Sequence, residues 1–279
     1  MPPLSLLAAA GLAAPSPLGR ARQHANEIWR YRELVRNFVV RDLKARYKNS
    51  VLGFLWSLAN PLLMMVVFTI VFTKLFIMSR ENFPLFLLSG QLAWGWCTTS
   101  VMGGVFSITG NAHLIKKVYF PRELLPLSVV LSNGVNFVLT LIPLFALAIA
   151  SDRPPDWLVL LLPVVMAIQL VFLTGLALFF GCLNVYFRDT EPIMEVLILA
   201  WLFLTPIFYS LEDFNSPNTR LLYILNPMAS IISTYRLIFY YQAPPDPLFV
   251  VRMGAQAAVV FLIGYWFFRR HAADFGEEV

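Results

Sequence analysis

The chain has 279 residues, of which 58% are hydrophobic and only 13% charged, giving a mean hydropathy of +0.69. That is more apolar surface than a soluble domain of this length can bury, so the chain belongs in a bilayer. The net charge of +5 does not point to nucleic acid, because the Lys and Arg residues are spread through loops and helix ends with no basic domain to gather them.

The opening MPPLSLLAAAGLAAPSP offers a short apolar run and small residues, as a signal peptide does. It lacks a basic n-region and places two prolines directly after Met1, so residues 1–26 are expected to form a disordered cytoplasmic tail. Residues 27–50 follow as EIWRYRELVRNFVVRDLKARYKNS. Here Ile28, Tyr31, Val35, Phe38, Val39 and Leu43 recur at helical spacing, with Arg30, Arg41, Lys44 and Lys48 on the other side. The pattern predicts an amphipathic helix in the interface of an anionic leaflet, and a simple surface anchor fits it equally. Arg32, Arg36 and Arg46 turn back towards the apolar side and must snorkel or find partners.

Residues 51–270 read as a domain of six apolar spans, all helical, because a membrane β-barrel would alternate with period two. Span one, Val51 to Thr73, carries Asn60-Pro61, where a kink is expected. Span two, Pro84 to Ile108, is rich in Gly, Ser, Thr and Trp, which favour close helix approach and interfacial placement. Spans three (Leu124 to Ala150) and four (Leu158 to Tyr186) are joined by the short turn DRPPD, and span five has the core EVLILAWLFLTPIFYS. Cys97 and Cys182 lie inside spans without CxxC or His neighbours and read as packing thiols. Two shorter apolar pieces, Leu221 to Leu225 and Met228 to Tyr241, are interrupted by Pro227 and predict short re-entrant helices in the outer leaflet. Span six, Leu248 to Phe268, ends in Arg269-Arg270, and 271–279 is a cytoplasmic tail. With both termini inside, 15 Lys and Arg fall on the cytoplasmic side against 6 outside, the positive-inside bias.

Six spans suit an enzyme, a channel or a transporter. Enzyme chemistry needs reactive groups, but Asp and Glu are nearly absent from the span interiors and no HExxH, DxD or His pair occurs. His113 stands alone in its loop, which is more typical of a bystander than of a base. Ion-coupled transporters keep ionisable groups at mid-membrane, and none is expected here. No Lys is followed by Ser or Thr, so the chain has no Walker A motif, and any ATP-driven transport must draw on another polypeptide.

Between spans two and three lies NAHLIKKVYFPRELLP, residues 111–126, on the cytoplasmic side by the charge count. Asn111 can cap a short helix with Leu114, Ile115 and Val118 on one face and Lys116 and Lys117 elsewhere; Pro121 starts the next helix, with Glu123 near its N-terminus. A sticky, basic cytoplasmic helix suits docking into a groove of a soluble partner. A plain connector with positive-inside lysines accounts for the same residues.

The blocks RDLKARYKNSVLGFLWSLANPLLMMVVFTIVF, NAHLIKKVYFPRELLP and NVYFRD, in this order, resemble the membrane permease of bacterial polysaccharide ABC exporters of the type-2 superfamily, which export O-antigen, teichoic acid and related glycans. The resemblance covers the chain from about Arg30 onward. It implies a homodimer with two nucleotide-binding ATPase subunits, in the bacterial cytoplasmic membrane among membrane lipids, moving a lipid-linked polysaccharide. ATP and magnesium would sit on the partner, with no cofactor on this chain. By the same resemblance, Asn111, Leu114, Ile115, Lys116, Lys117, Val118, Tyr119, Phe120, Arg122 and Glu123 form the coupling segment seated in the ATPase. Arg188 and Asp189 brace that contact, and Arg30, Arg41, Lys44, Arg46 and Lys48 belong to the interface helix beside it. The pieces at 221–241 correspond to external gate helices. Phe68, Phe72, Trp94, Trp201, Phe208, Tyr209 and Tyr223 become candidates for lining a channel, since flat aromatic faces let a glycan slide; packing against lipid or neighbouring helices is the competing role. A permease for a small lipid or drug remains an alternative, and a polytopic lipid-processing enzyme a more distant one.

Overall fold

Each long apolar run becomes a helix, because within a bilayer only internal hydrogen bonding can satisfy the backbone. The structure, a computed structural model, describes residues 30–48, 53, 55–75, 80–210 and 224–278. The expected tail 1–26, Ile28, the start of span one at Val51, and residues 211–223 with Tyr223 lie outside the described residues.

In chain order the helices are α1 (Arg32–Tyr47), α2 (Leu55–Ile70, continued by a π turn Val71–Leu75), α3 (Phe83–Phe106), α4 (Ala112–Lys117) and α5 (Leu124–Ala150). Then come α6 (Leu162–Tyr186, preceded by a 3-10 turn Trp157–Leu161), α7 (Thr190–Leu204), α8 (Pro227–Arg236, continued by a π turn Leu237–Tyr241), α9 (Pro247–His271) and α10 (Phe275–Glu278). The described residues contain no strand. Among the described residues, four helical stretches are long and apolar enough to cross a membrane by length and composition alone: Leu55–Lys74, Leu124–Ala150, Trp157–Tyr186 and Pro247–His271. α3 has 24 residues, but its Gly, Ser, Thr and Trp content lowers its hydropathy, and α7 has only 15.

Packing centres on α3 and α6, which touch each other and most other helices. Their crossing is close: a Cβ on Gly104 would lie 2.6 Å from the Ala177 Cβ, and one on Gly181 2.6 Å from the Gly104 carbonyl oxygen. α6 and α9 approach in the same way at Gly175, where a Cβ would meet the Phe261 Cα at 2.6 Å. Buried polar groups bridge the helices. Gln169 donates to Ala93 O (2.8 Å) and accepts from the Tyr235 hydroxyl (3.0 Å), while Trp96 Nε1 donates to Val130 O (3.2 Å).

Two apolar clusters result. The larger fills the bundle from Phe83 to Ala257 and includes Cys97; the smaller joins Phe38, Ile108, Ile115, Phe120, Leu124, Cys182, Val185, Phe268 and Phe275 at one end. Both cysteines are free and buried, as expected of packing thiols. The smaller cluster sits beneath Lys116, Lys117 and Arg269 and is called the basic end below. α2 and α7 lie on the outside: α2 buries no residue completely, and α7 buries only Thr190, Met194 and Ile198.

Candidate functional site

At the basic end, α1 lies with its apolar side on α5. Phe38 is buried and Tyr31, Leu34 and Val35 pack against the same cluster, in line with the predicted spacing. Of the arginines expected to need partners, Arg46 donates to Asn133 Oδ1 on α5 (2.7 Å), and Arg36 pairs with Glu33 at 3.7 Å. Arg41 reaches Asn111 Oδ1 at 3.2 Å and so ties α1 to the connector. Arg30, Lys44 and Lys48 are exposed, and Arg41, Lys44 and Lys48 line an open groove along α1.

The connector folds differently from its sequence reading in three respects. Asn111 precedes α4 but makes no capping bond; its amide donates back to Ser107 O (2.9 Å) while its oxygen accepts from Arg41 Nη1. Val118 lies past the end of α4 in extended backbone and is exposed, so Leu114 and Ile115 with Phe120 form the inward side. α5 begins at Leu124 after a turn through Pro121, Arg122 and Glu123, not at Pro121. Lys116, Lys117 and Tyr119 point outward, Tyr119 at 97% exposure. Arg122 donates to the carbonyls of Ala272 and Ala273 and lines the cleft beside them. Arg188 and Asp189 are exposed in the turn after α6. That turn is held beside the connector because Asn184 donates to Val105 O (3.0 Å) and Thr109 Oγ1 (3.4 Å).

The aromatic candidates gather elsewhere, along the seam between α2, α3 and the segment after α7. Phe208 is stacked on Phe72 (5.2 Å) and meets Phe68 edge-on (4.9 Å). Trp94 meets Trp201 edge-on at 5.4 Å, and the Trp201 indole donates to Asn226 Oδ1 at 3.0 Å. Trp94 and Phe208 are buried within the chain, whereas Phe68, Phe72, Trp201 and Tyr209 keep part of their surface. The Tyr209 hydroxyl donates to Phe203 O (2.9 Å).

Sequence reasoning missed Arg236, which it had counted among outer charges. The side chain is 2% exposed. α7 ends at Leu204, and the nonhelical run beyond it leaves carbonyls that Arg236 collects: Pro206 O (2.5 Å), Ile207 O (2.5 Å) and Tyr209 O (3.2 Å), with Phe86 O at 3.4 Å. Its guanidinium also lies 3.6 Å over the Phe86 ring. The only local hint was an Arg at the end of an apolar segment; the carbonyls it serves lie about thirty residues or more away.

An apolar helical bundle with four helices long and apolar enough to cross a membrane among the described residues fits a multi-pass membrane protein. Residues 33–240 match the ABC-2 type transporter family, and the chain belongs to that family. It is 39% identical over 254 residues to the O-antigen export system permease protein RfbA of Myxococcus xanthus, covering 91% of this chain and 98% of that one. Two proteins of the same name from Klebsiella pneumoniae are 36% and 35% identical over 201 residues, 71% of this chain and 77% of theirs. Membership of this family implies an ABC ATPase as partner.

Proposed function

We propose that this chain is the permease half of an ATP-driven exporter that moves a lipid-linked polysaccharide of the O-antigen type out of the cytoplasm. The observation that carries the reading is the 39% identity, across almost the whole of both chains, to a protein named for O-antigen export. Two copies would pair, each with an ATPase subunit that holds ATP and magnesium. The basic end would face the cytoplasm of a bacterial inner membrane, with both termini on that side, as the 15 to 6 charge bias favours.

Six spans would then be α2, α3, α5, α6, α7 and α9. At 24 residues α3 reaches about 36 Å, enough to cross, and α7 with 15 reaches about 22 Å before residues 205–210 carry the chain on. α8 with its π turn would be an external gate element. The outward apolar side chains of α2 and α7, among them Leu63, Val67, Val196 and Phe203, favour a second protomer against these helices. ATP binding would draw the ATPase subunits together, and the connector and α1 would transmit that motion to open a path between α2 and α7 of the two protomers, along the aromatic seam.

The test is genetic and biochemical together. Deleting the gene should abolish surface glycan while lipid-linked glycan accumulates inside, and the wild-type chain should restore export. Lys116→Glu/Lys117→Glu should fail to restore it although the protein reaches the membrane. Undiminished surface glycan in the deletion strain would sink the polysaccharide reading and leave the small-lipid permease as its successor.

A further inference from the structure

The segment after α9 folds back onto the connector. Residues 272–274 turn, and α10 places the Phe275 ring, which is fully buried, edge-on to Phe268 (5.2 Å) and against Tyr186 (6.4 Å). The Tyr186 hydroxyl donates to His271 O at 3.2 Å. From the other side Arg122 Nη1 donates to Ala272 O and to Ala273 O (3.3 Å), and the Arg122 guanidinium stands 5.8 Å over the Phe275 ring. A four-residue helix has no stability of its own, so these contacts hold it.

The connector needs such support. α4 has six residues, also too few to persist alone, and between its buried anchors Ile115 and Phe120 the chain is exposed. Arg41 and Ser107 secure the connector's start through Asn111; Arg122 secures its end. The two segments together bound a polar cleft of about 640 Å³, with Lys116, Lys117 and Tyr119 on the connector side and Arg269, Ala272 and Ala273 opposite. Among the described residues that line it, Glu123 is the only acidic one.

We infer that residues 272–278 are a clip that positions the connector and supplies one wall of the cleft in which the ATPase docks, through a carboxylate-bearing surface. This rests on the exporter reading above. Arg122 and Phe275 are then positioning residues within the chain, and Lys116, Lys117 and Arg269 supply the charge that meets the partner.

The experiment compares the wild-type chain, a chain ending at His271, Phe275→Ala and Phe275→Leu, each reconstituted in lipid nanodiscs with and without the ATPase. Without the ATPase, trypsin should cut after Lys117 about five-fold faster in Phe275→Ala and in the shortened chain, because the connector opens more often. Phe275→Leu, which keeps an apolar plug, should stay close to wild type. With the ATPase, glycan export should fall several-fold in Phe275→Ala and recover in Phe275→Leu, while the KM for ATP stays constant. Equal cutting rates in all four chains would show that nothing is clipped. Faster cutting with full export would reject the positioning role. The proteolysis arm needs no partner, so a wild-type chain that neither binds the ATPase nor exports glycan would overturn the exporter reading separately. If the shortened chain fails to accumulate, the Phe275→Ala and Phe275→Leu pair carries the same test.

Discussion

Lys116 and Lys117 hold their charges in the open at the connector, whereas Arg236, on the α8 side of the bundle, is sealed among carbonyl oxygens. The contrast separates two uses of a cation in a membrane protein. An exposed ammonium adds little to folding, because water already solvates it, and is free to meet a partner. A buried guanidinium has no such freedom: every donor must find an acceptor, and the acceptors here are the Pro206, Ile207 and Tyr209 carbonyls of the nonhelical run beyond α7, with Phe86 O on α3. That run and Arg236 therefore satisfy each other.

Removing Arg236 is the most direct way to break that relation. Arg236→Ala leaves the Pro206, Ile207 and Tyr209 carbonyls short of a donor and opens a void beside Phe86, which together should cost about 3–5 kcal/mol. Arg236→Lys keeps the charge but lacks the planar fork that serves several carbonyls at once, and should lie between the two. Thermal unfolding in detergent, followed by size exclusion, should rank the chains wild type, Arg236→Lys, Arg236→Ala. An Arg236→Ala chain as stable as wild type would remove the guanidinium from its structural role.

Gly90 sharpens the same point with a smaller effect. A Cβ there would lie 3.0 Å from Arg236 Nη2 and 3.1 Å from the Ile232 Cγ2. An ordinary flexible side chain would swing aside, but this guanidinium is held at its far end, so Gly90→Ala should destabilise by about 1–2 kcal/mol. In the Arg236→Ala background the contact with Arg236 is gone and only the one with Ile232 Cγ2 remains, so the cost should fall, and the double-mutant cycle reads that coupling directly. Equal costs in both backgrounds would mean that the methyl's cost does not come from Arg236.

These two residues also mark where sequence reading stops. The span expected at 124–150 is α5, Leu124–Ala150, and the one expected from Leu158 is the helical stretch Trp157–Tyr186, because an apolar run and a turn such as DRPPD are local signals. The inward spacing of α1 was legible for the same reason, down to Phe38. Where a cation's partner lies far along the chain, no local signal exists. Nothing local foretold the carbonyls that Arg236 gathers, or that Arg122 of the connector donates to Ala272 O, 150 residues away. Asn111 failed for a subtler reason: its side chain had a legitimate capping role, and a tertiary donor, Arg41, together with Ser107 O, won the competition.

Arg46 stands between the two extremes, an exposed arginine with one good bond, to Asn133 Oδ1 at 2.7 Å. If α1 is fastened to α5 through it, Arg46→Ala and Asn133→Ala should each cost about 1 kcal/mol and the pair should show positive coupling of similar size. Hydrogen exchange along α1 is the sensitive readout, because loosening a surface helix raises its local opening before it lowers global stability. Independent, additive effects would mean that Phe38 and its apolar neighbours alone seat the helix.

The smallest expected effect on folding belongs to Lys116→Glu/Lys117→Glu, and it completes the contrast with Arg236. Both side chains are exposed, so reversing them should move stability by no more than about 0.5 kcal/mol. Affinity for the ATPase should nevertheless fall steeply and in a salt-dependent way, because unlike charges across the contact become like ones. Titrating the purified partner at low and at high ionic strength checks both halves: the variant should differ most from wild type at low salt and converge with it as salt rises. A variant that unfolds early would place these lysines with Arg236 as structural charges, and one that binds normally would return the connector to the plain role of joining α3 to α5.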